Sequence, residues 1–165
     1  MTTPHPIMPH IPHLRRYARA LVRNDATADD LVQDTLERAL RKFSLWKPDG
    51  NLRAWLFSVM HNVHLNQARA NRDCVPFDES MEGSVTGCQE IRAEIRDLSK
   101  ALQTLPLEQR EVLLLIGLEG MRYDEVAQTL GIPIGTVMSR LCRGRERLYG
   151  MLEGHTNKPN LKVAP

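Results

Sequence analysis

Tyr123-Asp-Glu-Val-Ala-Gln-Thr-Leu-Gly131, followed by Ile132-Pro-Ile-Gly-Thr-Val-Met-Ser-Arg-Leu-Cys-Arg-Gly-Arg-Glu-Arg-Leu148, decides how this chain is read. The first stretch has the length of a short helix, and Gly131 is suited to close it in the left-handed conformation. Ile132-Pro133 then leads into a longer basic helix from about Ile134 to Leu152. A short helix, a tight glycine-containing turn and a second, basic helix are the elements of a helix-turn-helix. On a helical wheel Ile134, Val137, Leu141, Leu148 and Leu152 share the side expected to face a core. Thr136, Arg140, Arg143 and Arg147 share another, with Ser139 beside them. Arg reads guanine edges with two hydrogen bonds, while Ser, Thr and further Arg groups hold phosphates. An Arg-rich face also suits a plain solvated helix, but the preceding turn and short helix favour DNA.

Working outward, Ile91, Ile95, Leu98, Leu102 and Leu105 recur at helical spacing, which predicts an amphipathic helix. Pro106 stops it and suits the start of the next, which runs through Val112–Leu118 to Gly120. Nearer the amino end, Ile11, Leu14, Ala18, Leu21 and Val22 mark one buried helix face. Leu31, Thr35, Leu36, Ala39 and Phe43 mark a second, for which Thr27 is the expected cap, with Asp29 and Asp30 in the first turn. Pro48-Asp49-Gly50 reads as a turn. Leu52, Trp55, Leu56, Val59, Met60, Val63 and Leu65 then form a third, strongly apolar helix. No segment alternates like a strand. The expected fold is all-α: two small helical domains joined by a flexible acidic linker, the second a helix-turn-helix. The boundaries are 1–72 for the first domain, 73–92 for the Gly/Ser-containing linker, 93–153 for the second domain and 154–165 for a tail.

The 165 residues, 42% of them hydrophobic and 25% charged, suit soluble domains with real cores. The formal net charge of +2 hides an uneven spread: +5 over 1–72, −4 over 73–92 and +1 over 93–165. Within the last part Arg140, Arg143, Arg145 and Arg147 stand against Glu146 alone, a local cluster suited to a polyanion. The longest apolar run, Val112–Ile116, is far short of a membrane span. Pro4, Pro6, Pro9 and Pro12 interrupt any leader-like stretch, so the chain is expected in the cytoplasm without membrane contact of its own. Cys74, Cys88 and Cys142 are too few and scattered for a disulfide scaffold.

Two groups of motifs carry a family resemblance. Leu105-Pro-Leu-Glu-Gln-Arg-Glu-Val-Leu-Leu-Leu115, Tyr123–Ala127 and Gly131–Leu141 closely resemble the C-terminal domain, region 4, of bacterial extracytoplasmic-function sigma factors of the sigma-70 family. Independently, Asp30-Leu-Val-Gln-Asp-Thr-Leu-Glu-Arg-Ala39 is similar to the polymerase-binding helix of region 2. Leu52-Arg-Ala-Trp-Leu-Phe57, with Asn62 and Asn66 after it, is similar to the promoter-melting segment. The likeness covers roughly residues 10–152 in the family's order and spacing.

The resemblance implies a factor that binds core RNA polymerase, recognises −35 and −10 promoter DNA through separate domains and nucleates strand opening under control of an anti-sigma factor, in a stress response. It implies core contacts at Asp30, Gln33, Asp34 and Arg38, which steps of three and four place on one side. Asn62 and Asn66 match positions lining a pocket for a flipped-out −10 base, and an amide that donates and accepts suits an unstacked Watson–Crick edge. Thr136, Ser139, Arg140 and Arg143 match the −35-reading helix, with Arg147 assigned to phosphate. Two positions depart from the pattern. Met138 stands where relatives often carry Lys or Arg, and Arg122 where they often carry a Ser cap, which leaves that helix start to Asp124 and Glu125.

Other signals point to less. His61 and His64, three apart, suit two metal ligands, but no Cys or carboxylate at matching spacing joins them, so neither metal nor cofactor is expected. Gly-rich phosphate loops and nucleophile–base constellations are absent, and no enzyme activity is expected. The rival reading is a conventional helix-turn-helix regulator, which leaves Asp30–Ala39 and Leu52–Asn66 unexplained.

Overall fold

The structure, a computed structural model, describes residues 5–71 and 89–156. Among them are seven α-helices and no strand: α1 Ile11–Leu21, α2 Asp25–Lys42, α3 Leu52–Asn71, α4 Gln89–Thr104, α5 Leu107–Gly117, α6 Tyr123–Leu130 and α7 Ile134–Thr156. Single turns of 3-10 helix precede α1 and follow α2. Most of the expected linker lies outside the described residues. Its last residues, Gln89–Arg92, open α4, and α7 runs past the expected boundary to Thr156.

Local chemistry sets the helix ends. Pro12 sits in the first turn of α1, where its missing N–H costs nothing. The expected Thr27 cap is corrected to Asn24, whose side-chain oxygen accepts from the backbone N–H of Ala26 (2.8 Å) and Thr27 (3.3 Å). Asn24 is extended and its carbonyl reaches two free amides, so the helix starts earlier, at Asp25. Asn51 accepts from the Ala54 N–H at 3.1 Å to start α3, after a turn closed by Gly50 N–H to Lys47 C=O. Gly131 closes α6 with φ 65°, as its place after the last periodic residue predicts.

The first three helices pack α1 on α2 and α2 on α3, while α7 packs on α4, α5 and α6. In the N-terminal half Leu14, Ala18, Leu21, Leu31, Leu56, Met60 and Val63 are buried, and the Tyr17 and Phe57 rings meet edge-on at 5.1 Å. Full burial of each such Leu or Phe contributes about 1.5–3 kcal/mol. In the C-terminal half Val112, Leu115, Val126, Val137 and Leu141 fill the core. The close approach of α7 to α5 occurs at buried Gly144, where a Cβ would stand 2.9 Å from Leu113 Cδ1.

Two expectations about the core need correction. Ile134 is exposed, because the first turn of α7 overhangs the core that begins at Val137. Ile91, Ile95 and Leu98 on α4 are exposed as well; the apolar residues that reach the body are Ala101 and Leu102 at its carboxyl end and Leu105 just beyond it.

The halves are not separate. One cluster of buried side chains runs from α1–α3 into α5–α7. Helix α6 packs on α3, and α5 packs on α1.

Candidate nucleic-acid and polymerase interface

Asp30, Gln33, Asp34 and Arg38 all lie exposed on α2, whose opposite side buries Leu31, Thr35 and Ala39. Their shared face is the one that steps of three and four predict. Asp34 accepts a 2.7 Å hydrogen bond from Gln67 of α3, so this face is braced from one side.

Asn62 and Asn66 are exposed one turn apart on α3. Asn62 Nδ2 donates to the Ser58 carbonyl at 2.9 Å, so its amide is parked on its own helix. Trp55 is partly buried against the core, an anchor rather than an open stacking surface.

On α7, Ser139, Arg143 and Arg147 are exposed, while Thr136 and Arg140 are half-buried. Ser139 Oγ donates to the Thr136 carbonyl at 3.1 Å, and Arg147 Nη1 to Gln109 Oε1 at 3.4 Å. The Arg147 contact ties one end of its guanidinium to α5; among the described residues Arg143 has no side-chain partner of that kind. Met138 is exposed within the same helix. At the start of α6, Glu125 Oε2 accepts from the Arg122 backbone N–H at 2.8 Å and Asp124 pairs with the Arg122 guanidinium at 3.2 Å. Glu125 thus serves that terminus, as the sequence implies, whereas Asp124 bonds the Arg122 side chain and not a backbone N–H of the helix start.

The polar residues that join the two halves escaped the sequence reading. Glu119 follows α5, in a turn that left-handed Gly120 (φ 64°) makes possible, and its side chain is wholly buried. It accepts from Arg16 Nε at 3.0 Å and Arg53 Nη2 at 2.9 Å, and meets His13 Nδ1 at 3.2 Å. Arg53 also reaches the Glu119 carbonyl and lies over the Phe57 ring. Burial would raise the Glu119 pKa, but the hydrogen bonds and charges of Arg16 and Arg53 outweigh it and hold the carboxyl below its ordinary value. Glu111, also buried, meets His61 Nδ1 at 2.7 Å. His61 therefore faces α5, while its chain neighbour Asn62 faces solvent.

Arg110 is the third tie. Its five N–H donors reach the carbonyls of Leu102 (2.8 Å), Gln103 (2.8 Å), Leu105 (2.9 Å) and Leu21 (2.8 Å) and the Gln103 side chain (2.9 Å). Gln103 in turn donates to the Ala20 carbonyl at 3.1 Å. Asn51 bridges to Glu125 at 2.7 Å, so the start of α3 and the start of α6 share a side-chain bond. Among the described residues no group of three or more His, Cys, Asp or Glu is arranged to hold a metal, and no helix is long and apolar enough to cross a membrane.

Comparison with known proteins sets this geometry in a family. Residues 7–61 match the Sigma2 domain of PhyR, and residues 95–148 match Sigma-70, region 4. The chain is 37% identical over 152 residues to the ECF RNA polymerase sigma factor EcfG of Rhodopseudomonas palustris, covering 88% of this chain and 82% of that one. It is 32% identical to the ECF sigma factor SigE of Mycolicibacterium smegmatis, covering 90% of this chain and 61% of SigE. Among solved structures it is similar to the sigma factor RpoE of Bartonella quintana, crystallised in complex with the anti-sigma factor NepR. That likeness has a TM-score of 0.78 at 34% identity, covering 89% of this chain and 94% of RpoE. It is also similar to CnrH, solved in complex with the cytosolic domain of CnrY, with a TM-score of 0.67 at 28% identity, 90% of this chain and 85% of CnrH. With one matched domain in each half, and relatives aligned through both, the chain belongs to the extracytoplasmic-function sigma factors of the sigma-70 family, the subunits that bring core RNA polymerase to promoter DNA.

Proposed function

We propose a division of labour among the three exposed faces. The polar face of α2, Asp30, Gln33, Asp34 and Arg38, docks on core polymerase. Asn62 and Asn66 of α3 capture an unstacked base of the −10 element. The face of α7 reads the −35 element: Thr136 and Ser139 set register, Arg140 and Arg143 meet base edges, and Arg147 holds phosphate. On this reading residues 1–72 form region 2, 93–153 region 4, 73–92 the linker and 154–165 a tail. The chain works in the cytoplasm, catalyses no reaction of its own and needs neither metal nor cofactor. Binding energy does the work: strand opening is driven by holding bases outside the stack.

The observation that carries this reading is that the three groups lie exposed, or half-exposed at Thr136 and Arg140, on helices whose other sides are committed to the core. A conventional helix-turn-helix regulator would use α7 but has no use for the polar faces of α2 and α3. RpoE and CnrH, both similar to this chain, were solved bound to NepR and to the cytosolic domain of CnrY, which supports control of this chain by an anti-sigma factor. The test is Asp34→Arg, titrated as a labelled full-length chain into core polymerase by fluorescence anisotropy. The substitution loses only an exposed bond to Gln67 and should leave the fold intact while weakening core binding at least tenfold. Unchanged affinity would remove α2 from the interface.

A further inference from the structure

The cationic residues around Glu119 amount to more than a structural tie. Arg16 and Arg53 carry two permanent positive charges against one carboxylate, with His13 beside them. Both arginines come from the N-terminal half and the carboxylate comes from the C-terminal half, 103 and 66 residues away in sequence. Arg53 Nε is buried and has no hydrogen-bond partner, so a donor in the cluster is left unused by Glu119. Arg16 and Arg53 keep half and about a third of their side-chain surface open. Beside them Arg15 and Arg19, which pair with no acid among the described residues, line a shallow trough with Ile11, Pro12 and Arg16. No acidic residue occurs before Asp25. The surface of α1 is therefore a cationic track, and Arg16, at its edge, is held by a single carboxylate borrowed from the other half.

Distance gives that carboxylate a reason to leave. Elements centred at −35 and −10 are about 25 base pairs apart, roughly 85 Å at ~3.4 Å per base pair. A compact chain of this length has a radius of gyration of about 15 Å and a diameter of roughly 40 Å. With Glu119 seated between α1 and α3, the α7 face and Asn62 cannot both lie on their elements. Promoter binding has to part the halves and uncover Arg16, Arg53 and His13. A buried ion pair returns little net stability, so exchanging one anion for another is energetically modest. Guanidiniums bind phosphate oxygens with the same paired hydrogen bonds they give carboxylates.

We propose that His13, Arg16 and Arg53 form a binding site for a DNA backbone phosphate, and that Glu119 occupies it as an internal stand-in while the two halves are closed. Phosphate and Glu119 compete for the same guanidiniums, the extra acceptor oxygens satisfy Arg53 Nε, and Arg15 and Arg19 extend the track to neighbouring phosphates. The site adds to the −10 and −35 contacts and rests on the sigma-factor reading for its choice of ligand and for the parting of the halves.

The test measures binding of the full-length chain to a fluorescein-labelled duplex of mixed sequence, across a salt series, by anisotropy. Glu119→Gln should bind roughly tenfold tighter near 0.1 M salt, with the slope of log K against log salt steeper by about 0.9 for the one phosphate that Arg16 and Arg53 share. Adding Arg16→Ala and Arg53→Ala to that variant should abolish both gains. Three results overturn the proposal. One is a Glu119→Gln slope equal to wild type. Another is an Arg16→Ala/Arg53→Ala chain, with Glu119 intact, that gains as much as Glu119→Gln, since opening alone would then account for the effect. The last is a Glu119→Gln chain that tightens on core polymerase and not on DNA, which assigns the cluster to an acidic protein surface. Core binding by the same variants reports on the sigma-factor reading separately. Hydrogen exchange on the wild-type chain decides the matter if Glu119→Gln does not fold. Duplex should protect residues 11–19 and speed exchange at 118–121, whereas protection of the first without release of the second refutes the exchange of anions.

Discussion

Replacing Arg110 tests how firmly the α4–α5 junction is held together and, through Leu21, to the end of α1. All five of its N–H donors are used, four on backbone carbonyls and one on Gln103, within a site that burial makes costly enough to lower the guanidinium pKa. Hydrogen bonds to a charged group contribute about 1.5–3 kcal/mol each, which over five bonds would sum to about 7–15 kcal/mol. That sum is an upper limit. In Arg110→Met the freed carbonyls lie at helix ends, where water reaches some of them, and the cost of burying the cation disappears. A loss of about 3–4 kcal/mol follows, or about 10 °C in Tm for a chain of this size. Arg110→Lys should recover little, because an ammonium has three donors and cannot span carbonyls from Leu21 to Leu105. Urea unfolding followed by circular dichroism measures both variants. A loss under about 1 kcal/mol for Arg110→Met would refute the reasoning, since the five bonds would then be replaceable by water.

The remaining predictions concern the faces and the pH response. Asn62→Ala with Asn66→Ala should leave closed complexes intact and reduce strand opening; undiminished permanganate reactivity of the melted thymines would count against the pocket. Arg143→Ala should flatten the preference between native and altered −35 elements, a loss of about 1–3 kcal/mol in discrimination. Arg147→Ala should weaken both alike and lower the salt slope by about 0.9; the reverse pattern means the two roles are exchanged. Burial, with Arg110 and His61 adding repulsion and Glu111 opposing, holds His64 below its ordinary 6.5. The unfolded chain binds that proton first, so stability is present above pH ~6.5 and is lost as pH falls below it. Wild type should therefore lose more stability than His64→Gln between about pH 7 and about pH 5.5, and equal losses would contradict this. The depressed Glu119 carboxyl adds its own loss only at lower pH, below its ordinary 4.5.

What was legible in the sequence was local. The Gly131 closure, the service of Glu125 at the Arg122 terminus and the common exposure of Asp30, Gln33, Asp34 and Arg38 each depend on residues within a turn or two. Two local readings failed for physical reasons. Asn24 outcompetes Thr27 because its amide oxygen reaches two free N–H groups from an extended backbone. The stripe Ile91, Ile95 and Leu98 has helical periodicity, yet α4 meets the body only near its carboxyl end, which periodicity does not encode. Illegible altogether was the seam between the halves. Glu111 and Glu119 are charged residues on a helix and in a turn, where sequence arguments place them in water. Their partners His61, Arg16 and Arg53 lie 50 or more residues away, and no spacing rule links them. Gly144 escaped for a similar reason inside the C-terminal half: a glycine within a basic helix, explained only by Leu113 and Gln109 of α5 packed against it.

The central claim is that the chain directs polymerase to promoters through two separate DNA-reading faces. Run-off transcription with reconstituted core polymerase on a genomic library tests it most directly. The account predicts chain-dependent transcripts whose start sites share one −35 and one −10 sequence at constant spacing. Sequence-specific binding of the chain to duplex DNA, with no transcript that depends on adding it to core, would contradict the account and leave a conventional helix-turn-helix regulator.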